Sequence, residues 1–261
     1  MEWLLGILSS IFLILSLLSL YRRHIILTSY HPAIPDTTQE SPLSIVLCTH
    51  GLAPPLMNYI EKILSQNYSQ FEVIVVCKNT PIEILESLQT LSALHSRLTI
   101  IDITNKDCPY LGKKQALHIG ISLAKYDWIV TIDDDCYPQS ENWLKNISQH
   151  LGHKETDILL GFSPYISQPG LLNQWIRFDA LQVAINYAYH TLIGKPYMGV
   201  GRNLAYSKTL FFKNKGFASH YHIQTGDDDL FINEVVPNLF ARAHDFYPQI
   251  EALKKEAKEI S

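Results

Sequence analysis

The hydrophobic pattern divides the chain into three stretches. The first, Trp3 to Leu20, reads WLLGILSSIFLILSLLSL and carries no charged side chain. A bilayer core of about 30 Å needs about 20 such residues, so this run sits at the short end of a membrane span. It lacks the polar face of a one-sided core helix. The second, HPAIPDTTQESP at 31–42, is rich in proline and hydroxyl side chains, shows no periodicity and is expected to be a linker. The third alternates. LSIVLC (43–48), FEVIVVC (71–77), LTIIDI (98–103) and DWIVTID (127–133) are short apolar runs suited to strands buried on both faces. Between them PPLMNYIEKILSQ (54–66), PIEILESLQTLSAL (81–94) and GKKQALHIGISLAK (112–125) read as helices, two of them opened by proline. Further helices are expected over 170–193 and from Leu230. This alternation predicts an α/β fold, a mostly parallel sheet with helices on both faces. In such sheets ligands bind beyond the carboxyl ends of the strands.

What flanks the apolar run orients it. Tyr21, Arg22, Arg23 and His24 follow at once, and only Glu2 precedes it. A signal peptide has the reverse order. The positive-inside rule puts the N-terminus outside and everything after Arg23 in the cytoplasm. The expected organisation is a transmembrane anchor over 1–23, a linker over 24–41, a single α/β domain over 42–236 and a charged tail over 237–261, in which EALKKEAKEI is expected to form a surface helix. The expected location is the inner or plasma membrane, with a single pass. Asn67-Tyr-Ser and Asn146-Ile-Ser match the glycosylation pattern but have no role on the cytoplasmic side.

Composition narrows the chemistry. The 261 residues are 47% hydrophobic and 18% charged, so the chain can bury a core. A net charge of -4 argues against a general nucleic-acid binder. Cys48, Cys77, Cys108 and Cys136 form no CxxC pair, so neither a zinc ribbon nor a thioredoxin-type site is expected.

Two acidic clusters stand at element ends. Asp133-Asp134-Asp135 follows WIVTI. Alternate residues of an extended chain point the same way, so Asp133 and Asp135 can face one ligand together. Such carboxylates suit a hard divalent ion that also touches substrate phosphates; a solvated acidic turn or helix N-cap fits equally. Gly226-Asp227-Asp228-Asp229 precedes the apolar LFINEVV. These acids would either complement a helix dipole or supply a general base.

Taken in order, DDD after the fourth strand, GVGRNLAY (199–206) and GDDDLF (226–231) resemble the family 2 inverting glycosyltransferases of the GT-A fold, in particular membrane-attached bacterial ones. FKNKGFASHYHIQTGDDDLFIN (212–233) is the closest stretch, and the resemblance covers residues 42–236. It implies the GT-A fold, a Rossmann-like nucleotide-diphospho-sugar transferase architecture, and transfer of a sugar from a nucleotide-sugar donor to an acceptor hydroxyl with inversion. Asp133 and Asp135 match the family's DxD, which holds Mg²⁺ or Mn²⁺ against the donor diphosphate. Asp228 matches the catalytic base, with Asp227 beside it. Lys113 and Lys114 fall in a GKxxAL segment near the nucleotide, although a solvated helix start would look the same. Gly201, Arg202 and Asn203, with Gly199, match the segment beside donor sugar and acceptor. The acceptor expected from the resemblance is a lipid or polysaccharide, and a membrane partner subunit is compatible with it.

The sequence departs from this family in three places. The first strand ends Cys48-Thr49-His50-Gly51 rather than in an Asn-Glu pair; His50 could replace a polar contact or simply line the loop. The second strand is followed by Lys78-Asn79-Thr80 rather than by Asp, which leaves Asn79 to meet the base. A QxxRW segment and later membrane helices, found in processive relatives, are not seen in 237–261. These changes keep two alternatives open: a catalytically inactive membrane scaffold or subunit, and a metal-dependent phosphotransferase. His220 and His222 read as a polar loop lining the acceptor cleft rather than as zinc ligands. Trp175, Phe178, Tyr187 and Tyr189 read as a core face or a membrane-surface contact.

Overall fold

The four apolar runs form the centre of one sheet. In a computed structural model, which describes residues 2–29, 40–50, 55–104, 112–151 and 157–236, they are β1 (Leu43–His50), β2 (Phe71–Lys78), β3 (Leu98–Asp102) and β4 (Trp128–Asp133). They pair in parallel in the order β3-β2-β1-β4. The crossovers are α2 (Leu56–Leu64), α3 (Ile82–Leu94) and α4 (Lys113–Leu123). A second half continues with α5 (Trp143–His150), β5 (Ile158–Leu160), α6 (Leu171–Leu192), β6 (Leu204–Ser207), α7 (Lys208–Lys213) and α8 (Asp229–Val235). Here the sheet turns antiparallel: β6 pairs with β4, and β5 with β6.

Strand alternation builds two cores. Ile45, Leu47, Val73 and Val75 face α2, α3 and α5. Val46, Ile74 and Val76 face α4, together with α6, α7 and α8. That is the period-2 division expected of a sheet covered on both sides. On α4 the approach is close: a Cβ on Gly120 would come within 2.6 Å of Val46 Cγ1. Only glycine lets the helix settle there, and α4 carries the lysines of the site.

The N-terminal run is the helix α1 (Glu2–Ser29). Its apolar part, Trp3–Ile26, has a mean hydropathy of 2.3, is long enough to cross a membrane and has none of its residues buried in the protein. The helix continues past Arg23 to Ser29, so the expected linker does not start at 24. The rest of the linker (30–39), Pro54, Cys108, the tail 237–261 and the side chain of His50 lie outside the described residues. At the C-terminal end of the apolar run Arg23 donates to Asn186 Oδ1 at 2.6 Å, and its guanidinium lies 5.6 Å from the centre of the Tyr189 ring, so α1 docks on α6.

Candidate active site

The carboxyl ends of β1, β2 and β4 open onto a cavity of about 690 Å³. Cys48 and Thr49 come from β1, Lys78 and Asn79 from the end of β2, and Asp133, Asp134 and Asp135 from β4. Gly112, Lys113 and Ala116 bring the start of α4; Gln224 and Thr225 close the far side. Parallel ladders fix this rim, with Cys48 in register beside Asp133. Asn79 reaches the cavity from a left-handed backbone (φ 52°), its N–H donating to Thr104 Oγ1 at 3.1 Å.

Lys113 joins the two acidic clusters. Its ammonium is paired with Asp133 and lies 3.3 Å from Asp227 Oδ2. Burial alone would depress this ammonium, but Asp227 and Asp133 outweigh it and hold the group above the ordinary lysine range. Asp228 sits beside this pair. Gly201 N–H donates to its Oδ2 at 2.7 Å, and Asp229 N–H to its Oδ1 at 2.9 Å. The carboxylate is oriented by these bonds and starts α8.

Asp229 was not singled out by the sequence. Burial, and then Asp228 and Asp227, push its carboxyl up to about 6, with a Gly199 backbone hydrogen bond opposing. Thr49 was also missed. It is 1% exposed, lines the cavity, and its hydroxyl has no partner among the described residues. Its place at a strand end was the available signal. A buried hydroxyl without a partner is a costly arrangement that a ligand can relieve. Burial holds the Cys48 and Cys136 thiols protonated, raising Cys48 far above the usual thiol range and pushing Cys136 up to about 12, which does not suit either as a nucleophile.

The placements expected for Lys114 and His220 change, and those of Asn203 and Arg202 become more specific. Lys114 does not line the 690 Å³ cavity. It is 2% exposed, and its ammonium donates to the carbonyls of His220 (3.1 Å), Ile223 (2.8 Å) and Thr225 (2.8 Å), tying α4 to the loop before the second acidic cluster. Asn203 is committed to the fold: Trp143 Nε1 donates to its Oδ1 at 3.2 Å, and its Nδ2 donates to the Phe162 carbonyl at 3.3 Å. His220 turns inward rather than lining the cleft, against Phe217, with Nδ1 at 2.8 Å from Ser219 Oγ and 3.4 Å from Glu234. Arg202 lies over the Tyr165 ring at 4.8 Å, lining a neighbouring hollow rather than the 690 Å³ cavity. The aromatic residues of α6 split: Tyr187 is buried and donates to Gly161 O at 2.8 Å, whereas Trp175 and Phe178 are exposed.

Among the described residues no three His, Cys, Asp or Glu side chains cluster as a protein-only metal cage. The residues present fit a different kind of site. Mg²⁺ and Mn²⁺ bound with phosphates use one or two carboxylates, and Asp133 and Asp135 line the cavity where phosphates would lie. Oxygen donors alone suit such hard cations.

Comparison with known proteins agrees with this geometry. Glycosyltransferase GlyG of Streptococcus pneumoniae serotype 4 is 27% identical over 119 residues, covering 46% of this chain and 38% of that protein. The mannosyltransferase PcManGT from Pyrobaculum calidifontis, solved with GDP-Man and Mn²⁺, has a similar fold, with TM-score 0.61 and 18% identity over 82% of this chain and 56% of that one. S. aureus TarS 1-349 with UDP-GlcNAc gives TM-score 0.52 and 14% identity, over 76% and 54% of the two chains. The chain thus spans little more than half of these structures and less of GlyG. The sheet and the helices flanking it are those of the GT-A fold. Glycosyl transferase family 2 matches residues 44–216, from β1 through α7, and the chain belongs to that family.

Proposed function

We propose that the chain is a membrane-anchored glycosyltransferase that moves a sugar from a nucleoside-diphosphate donor to an acceptor hydroxyl with inversion. The observation that carries this reading is Lys113, which brings Asp133 of the phosphate side and Asp227 of the base side to one ammonium. Family membership and neighbours solved with GDP-Man and Mn²⁺ or with UDP-GlcNAc support it.

In this reading the donor occupies the 690 Å³ cavity, with its base near Asn79 and Thr49 and its diphosphate near Lys113. A divalent ion held by Asp133, Asp135 and the donor's phosphate oxygens would neutralise the leaving diphosphate. Lys113 adds a second positive charge on the same side, and its pairing with Asp133 and Asp227 fixes where that charge stands. Asp228 takes the acceptor's hydroxyl proton, its carboxylate held in place by the N–H groups of Gly201 and Asp229. The acceptor oxygen then bonds to the anomeric carbon as the carbon–oxygen bond to the diphosphate breaks on the opposite face. That bonding pair leaves with the nucleoside diphosphate, and the anomeric configuration inverts. The apolar α1 spans the membrane, and Arg22 and Arg23 keep the domain on the cytoplasmic side.

The test is titration of the detergent-solubilised chain with UDP and GDP, with and without Mn²⁺, beside Asp135→Ala. Mn²⁺-dependent binding that the variant loses is expected, and it identifies the nucleotide. A folded protein that binds neither nucleotide would replace this reading with a non-catalytic membrane subunit.

A further inference from the structure

The two carboxylates that suit a divalent ion are not equally open. Asp135 is exposed, accepts a hydrogen bond from the Cys136 thiol at 3.2 Å, and makes no ion pair among the described residues. It lines both the 690 Å³ cavity and the hollow of about 410 Å³ lined by Arg202, the side that the glycosyltransferase reading leaves to the acceptor. Asp133 is already taken. The Lys113 ammonium is bound to its Oδ1 and reaches Asp227 as well. The local fold works against a cation there. Lys113 is the first residue of α4, at the positive end of the helix dipole, where an ammonium is disfavoured. Its side chain is only about a third exposed, which strips hydration from the charge. The ammonium also lies against Gly201, where a Cβ would stand 3.5 Å from Lys113 Nζ and 3.4 Å from Asp228 Oδ2. The carboxylates alone hold it in this place.

An ammonium and a divalent ion on one carboxylate repel each other. Mg²⁺ and Mn²⁺ bind with few protein carboxylates and take their remaining oxygens from water and substrate phosphates. We propose that Lys113 occupies Asp133 as a stand-in for the divalent ion, withholding that carboxylate until a diphosphate takes the ammonium, so that ion and donor bind as one unit. Asp227 keeps the ammonium close while Asp133 passes to the ion. The exchange selects a diphosphate, whose oxygens can hold ammonium and ion at once, over a monophosphate. The proposal deepens the glycosyltransferase reading and rests on it for the donor, but not for the blocked carboxylate.

The experiment measures Mn²⁺ binding to the full chain in detergent, from the spin-resonance signal of the free ion, alone and with UDP or GDP. Nucleotide affinity is measured on the same preparation. In wild type each ligand should raise the other's affinity at least ~10-fold, and independent binding overturns the proposal. Lys113→Gln should bind Mn²⁺ alone about 10-fold more tightly than wild type, because a positive charge has left Asp133. The same variant should bind nucleotide with Mn²⁺ at least ~5-fold less tightly, having lost a charge-assisted contact to phosphate. Lys113→Met should do likewise, which shows that the gain does not come from the new amide oxygen. Adding Asp133→Asn to Lys113→Gln should remove the gain. A lysine that only supports the fold, or only attracts phosphate, gives no gain in Mn²⁺ affinity, and that result overturns the proposal. A gain that survives Asp133→Asn overturns it too, as does a nucleoside monophosphate helped by Mn²⁺ as much as its diphosphate. Tighter Mn²⁺ binding by Lys113→Gln in a protein that binds neither nucleotide would keep the blocked carboxylate and remove the glycosyltransferase reading. Nucleotide binding without that gain would do the opposite.

Discussion

The two hollows that meet at Asp135 are held by different means. The donor cavity rests on the ends of parallel strands whose backbones are locked in register, Cys48 beside Asp133 and Cys77 beside Asp102. The hollow lined by Arg202, which the proposed reading gives to the acceptor, is walled by α6 and by irregular segments joined through side chains: Asn203 to Trp143 and Phe162, Tyr187 to Gly161. A ladder distributes its restraint over many backbone bonds, whereas a few side-chain bonds concentrate it. Donor geometry should therefore survive most single substitutions, while the shape of the acceptor side should follow them. A fold that keeps its nucleotide site and varies its acceptor has this division of labour built in.

The strongest test of that division lies on the seam. Asp228→Asn should lower turnover by roughly 10²–10⁴-fold while nucleotide affinity stays near wild type, because the base acts on the acceptor. A parallel loss of nucleotide affinity would show that the two sides are not separable there. Next comes Lys114, which crosses between them. Lys114→Met leaves three carbonyls without their donor, that of His220 buried and those of Ile223 and Thr225 only partly so, and should lower the unfolding free energy by about 2 kcal/mol in urea denaturation. An unchanged midpoint would mean that the loop at 220–225 is held by other contacts. Asn203→Ala should cost less, about 1–2 kcal/mol, and should disturb the acceptor side alone. Nucleotide titration of this variant sharpens the comparison, since a change beyond about twofold, ~0.4 kcal/mol, would place Asn203 on the donor side after all.

The smallest effect concerns pH. Asp229 rises from 3.8 to about 6 on folding, so its contribution to stability is present below about pH 4 and is lost as pH climbs through 6. Asp229→Asn has no such loss. Its thermal midpoint should gain on wild type between pH 4 and pH 7.5; a constant difference would refute the buried-carboxyl account.

Much of the donor side was legible because buried parallel strands are written as continuous apolar runs. The expected strands at 43–48, 71–77, 98–103 and 127–133 lie within two residues of β1 to β4 at either end. The acceptor side was not. Ile158–Leu160 and Leu204–Ser207 are too short to show a period, and Trp143–His150 mixes polar and apolar residues over barely two turns. Lys113 and Lys114 are identical neighbours in the sequence. Only the orientation of α4, set by the close approach at Gly120, sends one toward the acids and buries the other under a loop. Asn203 carries a related ambiguity: it lines the hollow that reaches Asp135 and also braces Trp143 and Phe162, and an amide beside a cleft serves a scaffold as well as a ligand.

The ion pairs of Lys113 carry a kinetic consequence. Before a donor arrives, Asp133 and Asp227 already have a counter-ion of the protein's own. An incoming diphosphate therefore does not meet bare carboxylates. It competes with them for an ammonium already in position, and when the spent diphosphate departs the carboxylates reclaim it. Asp227 would then act as a competitor for Lys113 that speeds product release. Asp227→Asn, which removes that competitor and leaves the ammonium in place, should slow diphosphate dissociation in stopped-flow measurements, and an unchanged off-rate would refute the competition.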